Sequence, residues 1–444
     1  MNDQYAELYS SYQWLVPSQF NIAQACAHRW ADNPLDGRRV AVFHENEQGQ
    51  RDVWTYSRLS ETAGRLANGL LKMGVQPGDR VALIMSQRPE YVVACMAVLS
   101  VGAVALPLPA FSEPGHIVSC LRDAMPRVGV VDEITGPGVL AAQNKYPFMN
   151  QVIALNLEHE AAIPWRTLLA RQPAAFKPMP TLSHAPALLL YEPAGTPSPR
   201  GKLLPHRSLI GNLPGFVAAQ NWFPVKNDVF WTPNSWQHGD GLMFGLLPAL
   251  YFGHPIVNAP GRFSAERAFD LIARHQVTNC YLTGAQVNAL ATAGLDPSVS
   301  SPGRARLRAL SVGGEPLDQD ATAWCAEHLG VAPNLFYGQA RTGMIIGNSY
   351  LKWPAKPSSL GRPYPGHRVA LLDKYGTPCP VGVVGEIVVN QHDVHGDIDP
   401  ALFLGYWQKD LGQAVLPNEN WQQTGELAVI DQDGYYWYQG RKGA

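Results

Sequence analysis

Residues 55–108 read TYSRLSETAGRLANGLLKMGVQPGDRVALIMSQRPEYVVACMAVLSVGAVALPL, and the order of elements in this stretch decides the fold class. Leu59, Ala63, Leu66 and Leu70 recur at helical spacing, which predicts an amphipathic helix over Thr55 to Gly74. Gly74 suits the left-handed position that ends such a helix. Pro77-Gly78-Asp79 is a turn, and Val81-Ala82-Leu83-Ile84-Met85 is an apolar run of buried-strand length. Glu90 to Leu99 is helical again, and Val104 to Leu108 is a second strand run. Strand, helix and strand at this spacing predict a parallel sheet covered by helices.

Outward from this stretch the pattern repeats and then changes. Ala187 to Tyr191 is an apolar run that leads into a Pro/Gly/Ser stretch. Arg267 to His275 reads as helix, and Cys280 to Leu282 and Leu310 to Val312 read as strands. Beyond residue 360 only short β runs remain: Arg368 to Leu372, Val383 to Val389, Leu427 to Asp431 and Tyr435 to Tyr438. Asp433-Gly434 between the last two is a hairpin signal, so this part is antiparallel. The expected units are therefore 1–180, 181–360 and 361–444.

A chain of 444 residues exceeds one ordinary core. Lys plus Arg number 34 and Asp plus Glu 36, for a net charge of −2, which argues against nucleic acid as a partner. Cysteines at 26, 95, 120, 280, 325 and 379 show no C-x-x-C spacing, so no zinc or redox motif is read. No basic-then-apolar leader and no membrane-length apolar run occur, and the expectation is a soluble cytoplasmic protein with reduced cysteines.

A series of short motifs runs along the chain. It includes Trp54-Thr55-Tyr56, Gly78-Asp79-Arg80, Gly102-Ala103-Val104, His206-Arg207-Ser208 and Trp231-Thr232-Pro233. It continues with Gly313-Gly314-Glu315-Pro316, Tyr337-Gly338-Gln339, Gly361-Arg362-Pro363, Gly405-Tyr406-Trp407, Thr424-Gly425-Glu426 and Gly440-Arg441. In this order they resemble the adenylate-forming superfamily, and within it the short-chain and aryl acid–CoA ligases. The resemblance implies an α/β fold with two doubly wound α/β subdomains and a C-terminal β-barrel-like subdomain. It implies ATP or AMP and a small carboxylic acid as ligands, with CoA as the later acceptor. The acid attacks the α-phosphate of ATP, pyrophosphate leaves as its magnesium complex, and an acyl-adenylate forms.

Carried over residue by residue, the resemblance assigns nucleotide contacts to Gly313, Gly314, Glu315, Pro316, Tyr337, Gly338, Gln339, Glu426 and Arg441. Glu426 stands where the family has an aspartate that grips the ribose. The phosphate loop corresponds to Tyr191 to Lys202, where Gly195, Thr196, Arg200, Gly201 and Lys202 are the candidate contacts. Pro193 and Pro197 are extra prolines that remove backbone donors, and Glu192 adds a negative charge. A carboxylate about 4 Å from a phosphate charge costs roughly 4 kcal/mol at an effective dielectric near 20. The acid pocket corresponds to Trp236 and His238, with Arg341 beside it. Arg341 takes the place of a glutamate that helps to hold magnesium. A guanidinium offers only donors, so Mg²⁺ is put in doubt, and no metal set and no intact catalytic residue are read.

The chain stops at Gly440-Arg441-Lys442-Gly443-Ala444, where the family continues into a small domain that carries a catalytic lysine. Either that domain has been cut away or the core stands alone. Three readings stay open. The first is a degenerate ligase-like protein that keeps an acyl- or adenylate-type pocket but is impaired in adenylation by itself. The second is an active acid-activating ligase whose lysine domain is supplied elsewhere. The third is a non-catalytic scaffold with a protein partner. A homo-oligomer is open in all three.

Overall fold

The computed structural model describes residues 3–145, 147–192, 199–294, 307–314, 317–418 and 420–443. The opening stretch folds as its pattern dictates. The helix spans Tyr56–Lys72 and starts where the Thr55 side chain accepts from the Arg58 amide at 3.2 Å. Leu59, Ala63, Leu66 and Leu70 are fully buried along one face, each leucine stabilising the fold by about 1.5–3 kcal/mol. The second helix, Pro89–Ser100, is buried on every side except at Glu90. A helix that is apolar all round belongs inside a protein rather than on its surface.

Two nine-stranded sheets form the body. In the first the spatial order is Gln413–Val415, Gly405–Gln408, Gly201–Pro205, Pro186–Tyr191, Val104–Pro107, Arg80–Ile84, Val128–Val131, Gln151–Ala154 and Ile163–Pro164. In the second it is Arg362–Pro363, Gly343–Gly347, Asn334–Gln339, Ala309–Gly313, Asn279–Thr283, Phe230–Trp231, Ile256–Asn258, Val40–Glu45 and Arg51–Thr55. The centres of both sheets are parallel, with antiparallel strands at the edges. A third, four-stranded antiparallel sheet joins Val369–Leu372, Gly385–Asn390, Trp421–Ile430 and Tyr436–Arg441.

The sheets do not divide the chain at residue 180. Strands at 40–55 join the second sheet, while strands at 186–205 and 405–415 join the first. Local pattern predicts a strand such as Pro186–Tyr191 but not its sheet, because pairing partners lie far apart in sequence. Among the described residues no helix is long and apolar enough to cross a membrane. All six cysteines are unpaired.

Two buried histidines are held neutral. The Ser100 hydroxyl donates to the Met96 carbonyl, so the network assigns the His28 proton to Nε2, which donates to Ser100 at 3.0 Å, while Nδ1 accepts from Ser60 at 2.8 Å. His206 Nδ1 accepts the Ile22 amide at 3.2 Å. Burial pushes both imidazoles down to about 4 from an ordinary value of 6.5.

Two tests follow from this packing. Above pH 6.5 both imidazoles are neutral in either state and their stabilisation is complete. As pH falls from 6.5 towards 4 the unfolded chain takes up protons that the folded one refuses, so each histidine withdraws roughly 3 kcal/mol across that window. Denaturant unfolding at half-unit steps should show this loss, and His28→Gln or His206→Gln should each remove its share of the slope. Separately, a Cβ on Gly211, in the helix Ser208–Ala219, would lie 2.0 Å from the Ala401 amide nitrogen. Gly211→Ala should cost about 1–3 kcal/mol or more in the same measurement, since backbone has to move.

Candidate active site

In open α/β sheets, ligands gather beyond the carboxyl ends of the strands where the strand order reverses. Such points fall after Arg80–Ile84 in the first sheet and after Phe230–Trp231 in the second. The segments leaving them meet. Gln237 Nε2 donates to the Met85 carbonyl at 2.5 Å, the Trp236 amide donates to Gln87 Oε1 at 3.0 Å, and Tyr91 donates to the Trp236 carbonyl at 2.8 Å. Trp236 is fully buried. A crevice of about 720 Å³ opens on one side of this seam, between Ser86-Gln87-Arg88 and Pro233, Ser235 and Gln237. The sequence motifs mark one wall of it, at Trp231-Thr232-Pro233, but not the facing Ser86-Gln87-Arg88 loop, which carries no motif of its own.

On the other side of the seam stands Arg341. It follows the strand Asn334–Gln339, in a tight turn before Gly343–Gly347. The turn requires glycine twice: Gly343 has φ of +73°, and a Cβ on Gly338 would lie 2.3 Å from the Gly343 carbonyl oxygen. Arg341 Nε donates to Gln339 Oε1 at 2.8 Å, one terminal nitrogen donates to the Thr424 carbonyl at 3.0 Å, and the other donates to the Tyr406 hydroxyl. All three acceptors are neutral. Gln339 Nε2 also donates to the Thr424 carbonyl at 3.0 Å, which fixes the amide that holds Arg341.

The phosphate-loop candidates lie next to it. Gly195 and Thr196 fall outside the described residues, as do Glu315 and Pro316. Arg200 stacks its guanidinium 4.1 Å over the Tyr406 ring, the same residue whose hydroxyl Arg341 binds. Gly201 and Lys202 open the strand Gly201–Pro205, where Lys202 pairs in register with Tyr406. Lys202 Nζ lies 3.2 Å from Glu192, so the carboxylate that threatened a phosphate is taken up by an ammonium. Burial lowers the Lys202 ammonium, with Glu192 pulling it back up and Arg341 pushing it down.

Asp240 is a residue the motif reading passed over. It keeps solvent access yet is ringed by protein, which raises its carboxyl above the usual range, with Lys202 opposing the shift. His238 sits two residues away, solvent-reachable, its imidazole lowered by burial of the surrounding cleft. Asp240 was hidden because only its fold neighbours, not its sequence neighbours, perturb its carboxyl.

The nucleotide candidates separate into two groups. Gly313 ends the strand Ala309–Gly313, and a Cβ there would lie 2.6 Å from the Phe336 ring, so its smallness serves an aromatic neighbour. Gly314 follows with φ of +86°. Tyr337, Gly338 and Gln339 line up on the adjacent strand, which brings the two motifs onto neighbouring strands. Glu426 and Arg441 face each other on Trp421–Ile430 and Tyr436–Arg441. Arg441 Nε donates to Glu426 Oε1 at 3.0 Å and the Tyr438 hydroxyl donates to Oε2 at 2.6 Å, so both carboxylate oxygens already have donors.

Magnesium is the metal the resemblance implied, and the side chains near Arg341 do not fit it. The position expected to supply a carboxylate supplies a guanidinium, and Glu192 is engaged by Lys202. Among the described residues no group of three or more His, Cys, Asp or Glu side chains is placed to hold a metal ion.

Comparison with known proteins identifies the family and the fold. The family model described as AMP-binding enzyme matches residues 28–407. An uncharacterized acyl–CoA ligase of Bacillus subtilis, YtcI, is 26% identical over 438 residues, which cover 96% of this chain and 77% of the relative. An acetyl-coenzyme A synthetase of Nitrosomonas europaea is 26% identical, with 97% of this chain and 69% of the relative covered. The crystal structure of a Brucella canis acyl-CoA synthetase superposes with a TM-score of 0.88 at 22% identity, covering 100% of this chain and 80% of the other.

The Lys202–Glu192 pair yields a direct test. Glu192→Gln removes the partner that raises the Lys202 ammonium and leaves burial and Arg341 acting alone. The lysine should then titrate lower than in the unaltered protein. NMR of selectively methylated lysines reads this, and an unchanged or higher titration point would show that the pair does not form in solution.

Proposed function

The chain belongs to the AMP-binding enzyme family, and from that premise we propose a divergent acid–CoA ligase core that holds an acyl-adenylate or organic acid but is impaired in magnesium-dependent adenylation. The observation that carries this reading is Arg341. In the reaction implied by the family, charge on the departing pyrophosphate is met by magnesium. A guanidinium at the carboxylate position repels the cation and offers it no lone pair. Two unit charges 4 Å apart exchange roughly 4 kcal/mol at an effective dielectric near 20, and reversing one charge and doubling the other enlarges that change several-fold.

The remainder of the pocket supports retention of a ligand. The motifs around Gly313 and Tyr337 lie on adjacent strands, and Lys202 is close enough to Arg341 and Asp240 to feel the charge of both. The proposed ligands are a small carboxylic acid and AMP or its acyl derivative, with CoA as the acceptor in any complete cycle.

A second reading is ordinary acid activation. It is favoured by one specific observation: alignment with an acetyl-coenzyme A synthetase extends over 97% of this chain. One experiment separates the two. Pyrophosphate release is measured with ATP, Mg²⁺ and a panel of short-chain and aryl acids, beside calorimetric titration with AMP and a non-hydrolysable acyl-adenylate mimic. The proposed function expects binding of the mimic, unchanged by Mg²⁺, and little or no acid-dependent pyrophosphate. Brisk acid-dependent release would establish the second reading, and absence of any mimic binding would remove the first.

A further inference from the structure

We infer that the cleft between Arg200 and Arg341 is a metal-independent site for a phosphate dianion, held by direct contact with the two guanidinium groups. The inference rests on the proposed function for its location, at the phosphate end of the pocket, but is tested separately.

The cleft has a volume of about 330 Å³, ample for a phosphate group with part of whatever carries it. Arg200, Arg341 and Lys442 line it, against one carboxylate, Glu386. That carboxylate is committed: Lys442 Nζ lies 2.7 Å from its Oε2 and the Gly425 amide donates to its Oε1 at 3.0 Å. The neighbouring Lys202–Glu192 pair adds no net charge. Two positive charges therefore face the cleft without a carboxylate partner among the described residues.

The Arg341 guanidinium is positioned as well as charged. Arg341 has five N–H groups and spends three on Gln339, Thr424 and Tyr406. Each terminal nitrogen keeps one donor, and the side chain cannot swing away without breaking three bonds. The exposed Arg200 side chain places its guanidinium over the ring of the same tyrosine. Tyr406 thus touches both cations. One anchored guanidinium fork and a second beside it offer paired donors to a tetrahedral dianion with several acceptor oxygens, the geometry in which Arg outperforms Lys. The same positive excess repels Mg²⁺, so metal and site are alternatives.

The experiment titrates inorganic phosphate into the whole chain by calorimetry, in EDTA and at constant ionic strength with chloride, then repeats it in excess Mg²⁺. Saturable binding that Mg²⁺ leaves unchanged is expected. Arg200→Gln should weaken it about tenfold, as loss of a charge-assisted contact implies. Arg341→Gln should do the same, and thermal unfolding monitors its fold because it also loses the contacts to Thr424 and Tyr406. Arg200→Gln carries the test if Arg341→Gln does not fold, since the contact Arg200 makes among the described residues is to the tyrosine ring. AMP against adenosine identifies the source of the dianion. An arginine-dependent preference for AMP indicates a nucleotide phosphate, and equal affinity beside phosphate binding indicates free phosphate. No saturable binding, binding that needs Mg²⁺, or binding indifferent to both arginines would overturn the inference. Retained binding of the acyl-adenylate mimic in that event would leave the proposed function standing. Phosphate binding together with brisk acid-dependent pyrophosphate release would instead sink the proposed function alone.

Discussion

The Arg341 guanidinium is the point through which the three sheets are joined at the pocket. Its three hydrogen bonds run to Gln339 on the second nine-stranded sheet, to Tyr406 on the first, and to Thr424 on the four-stranded sheet. A guanidinium spreads its donors in a plane around one carbon, and that spread lets one side chain reach all three. A glutamate here has acceptors only. It would leave the Thr424 carbonyl without this donor and face the oxygen of Gln339. The residue that departs from the family pattern is therefore also the residue around which this version of the pocket is packed.

That packing depends on where the chain returns. Gly405–Gln408 adds to the edge of the first sheet beside Gly201–Pro205, more than 200 positions later in sequence, and so places Tyr406 against Lys202. Gly405 has φ of +130°, and a Cβ there would lie 2.5 Å from the Val415 backbone, so the hairpin with Gln413–Val415 closes only with glycine. Close backbone approach at Gly211 and Ala401 fixes the segment that leads into this strand. These contacts make Tyr406 a shared contact of Arg200 and Arg341, instead of a surface residue of a loose edge.

Periodicity alone made the elements legible. The helix at 56–72 and the strands at 80–84, 104–107, 186–191, 279–283 and 309–313 lie within a residue or two of the apolar runs that predict them. The allotment of strands to sheets was not legible, since Val40–Glu45 pairs with Ile256–Asn258 across a separation that leaves no local trace. At the site, the motif residues Tyr337 and Gln339 share one strand and Glu426 lies on the four-stranded sheet, where Arg441 and Tyr438 already donate to it. Trp236 was assigned to the acid pocket by the resemblance, and its backbone contacts with Gln87 and Tyr91 accompany complete burial of its side chain. Asp240 and the Ser86-Gln87-Arg88 wall of the crevice left no signal, as both arise from loops that come together only in the fold.

The structural and the binding roles of Arg341 do not compete. Hydrogen bonds to a carbonyl, an amide oxygen and a hydroxyl fix direction, but they leave the full positive charge in place, since none of the acceptors carries a negative one. A buried or half-buried cation is ordinarily answered by a carboxylate, as Arg308 is by Asp228 at 2.5 Å elsewhere in this protein. At Arg341 the carboxylates close by are already spent on Lys202 and Lys442. What remains to answer the charge is solvent or a bound anion, and the cleft on which Arg341 opens is large enough for the latter. Three sheets hold the cation still, and its unmet charge then selects what enters beside it.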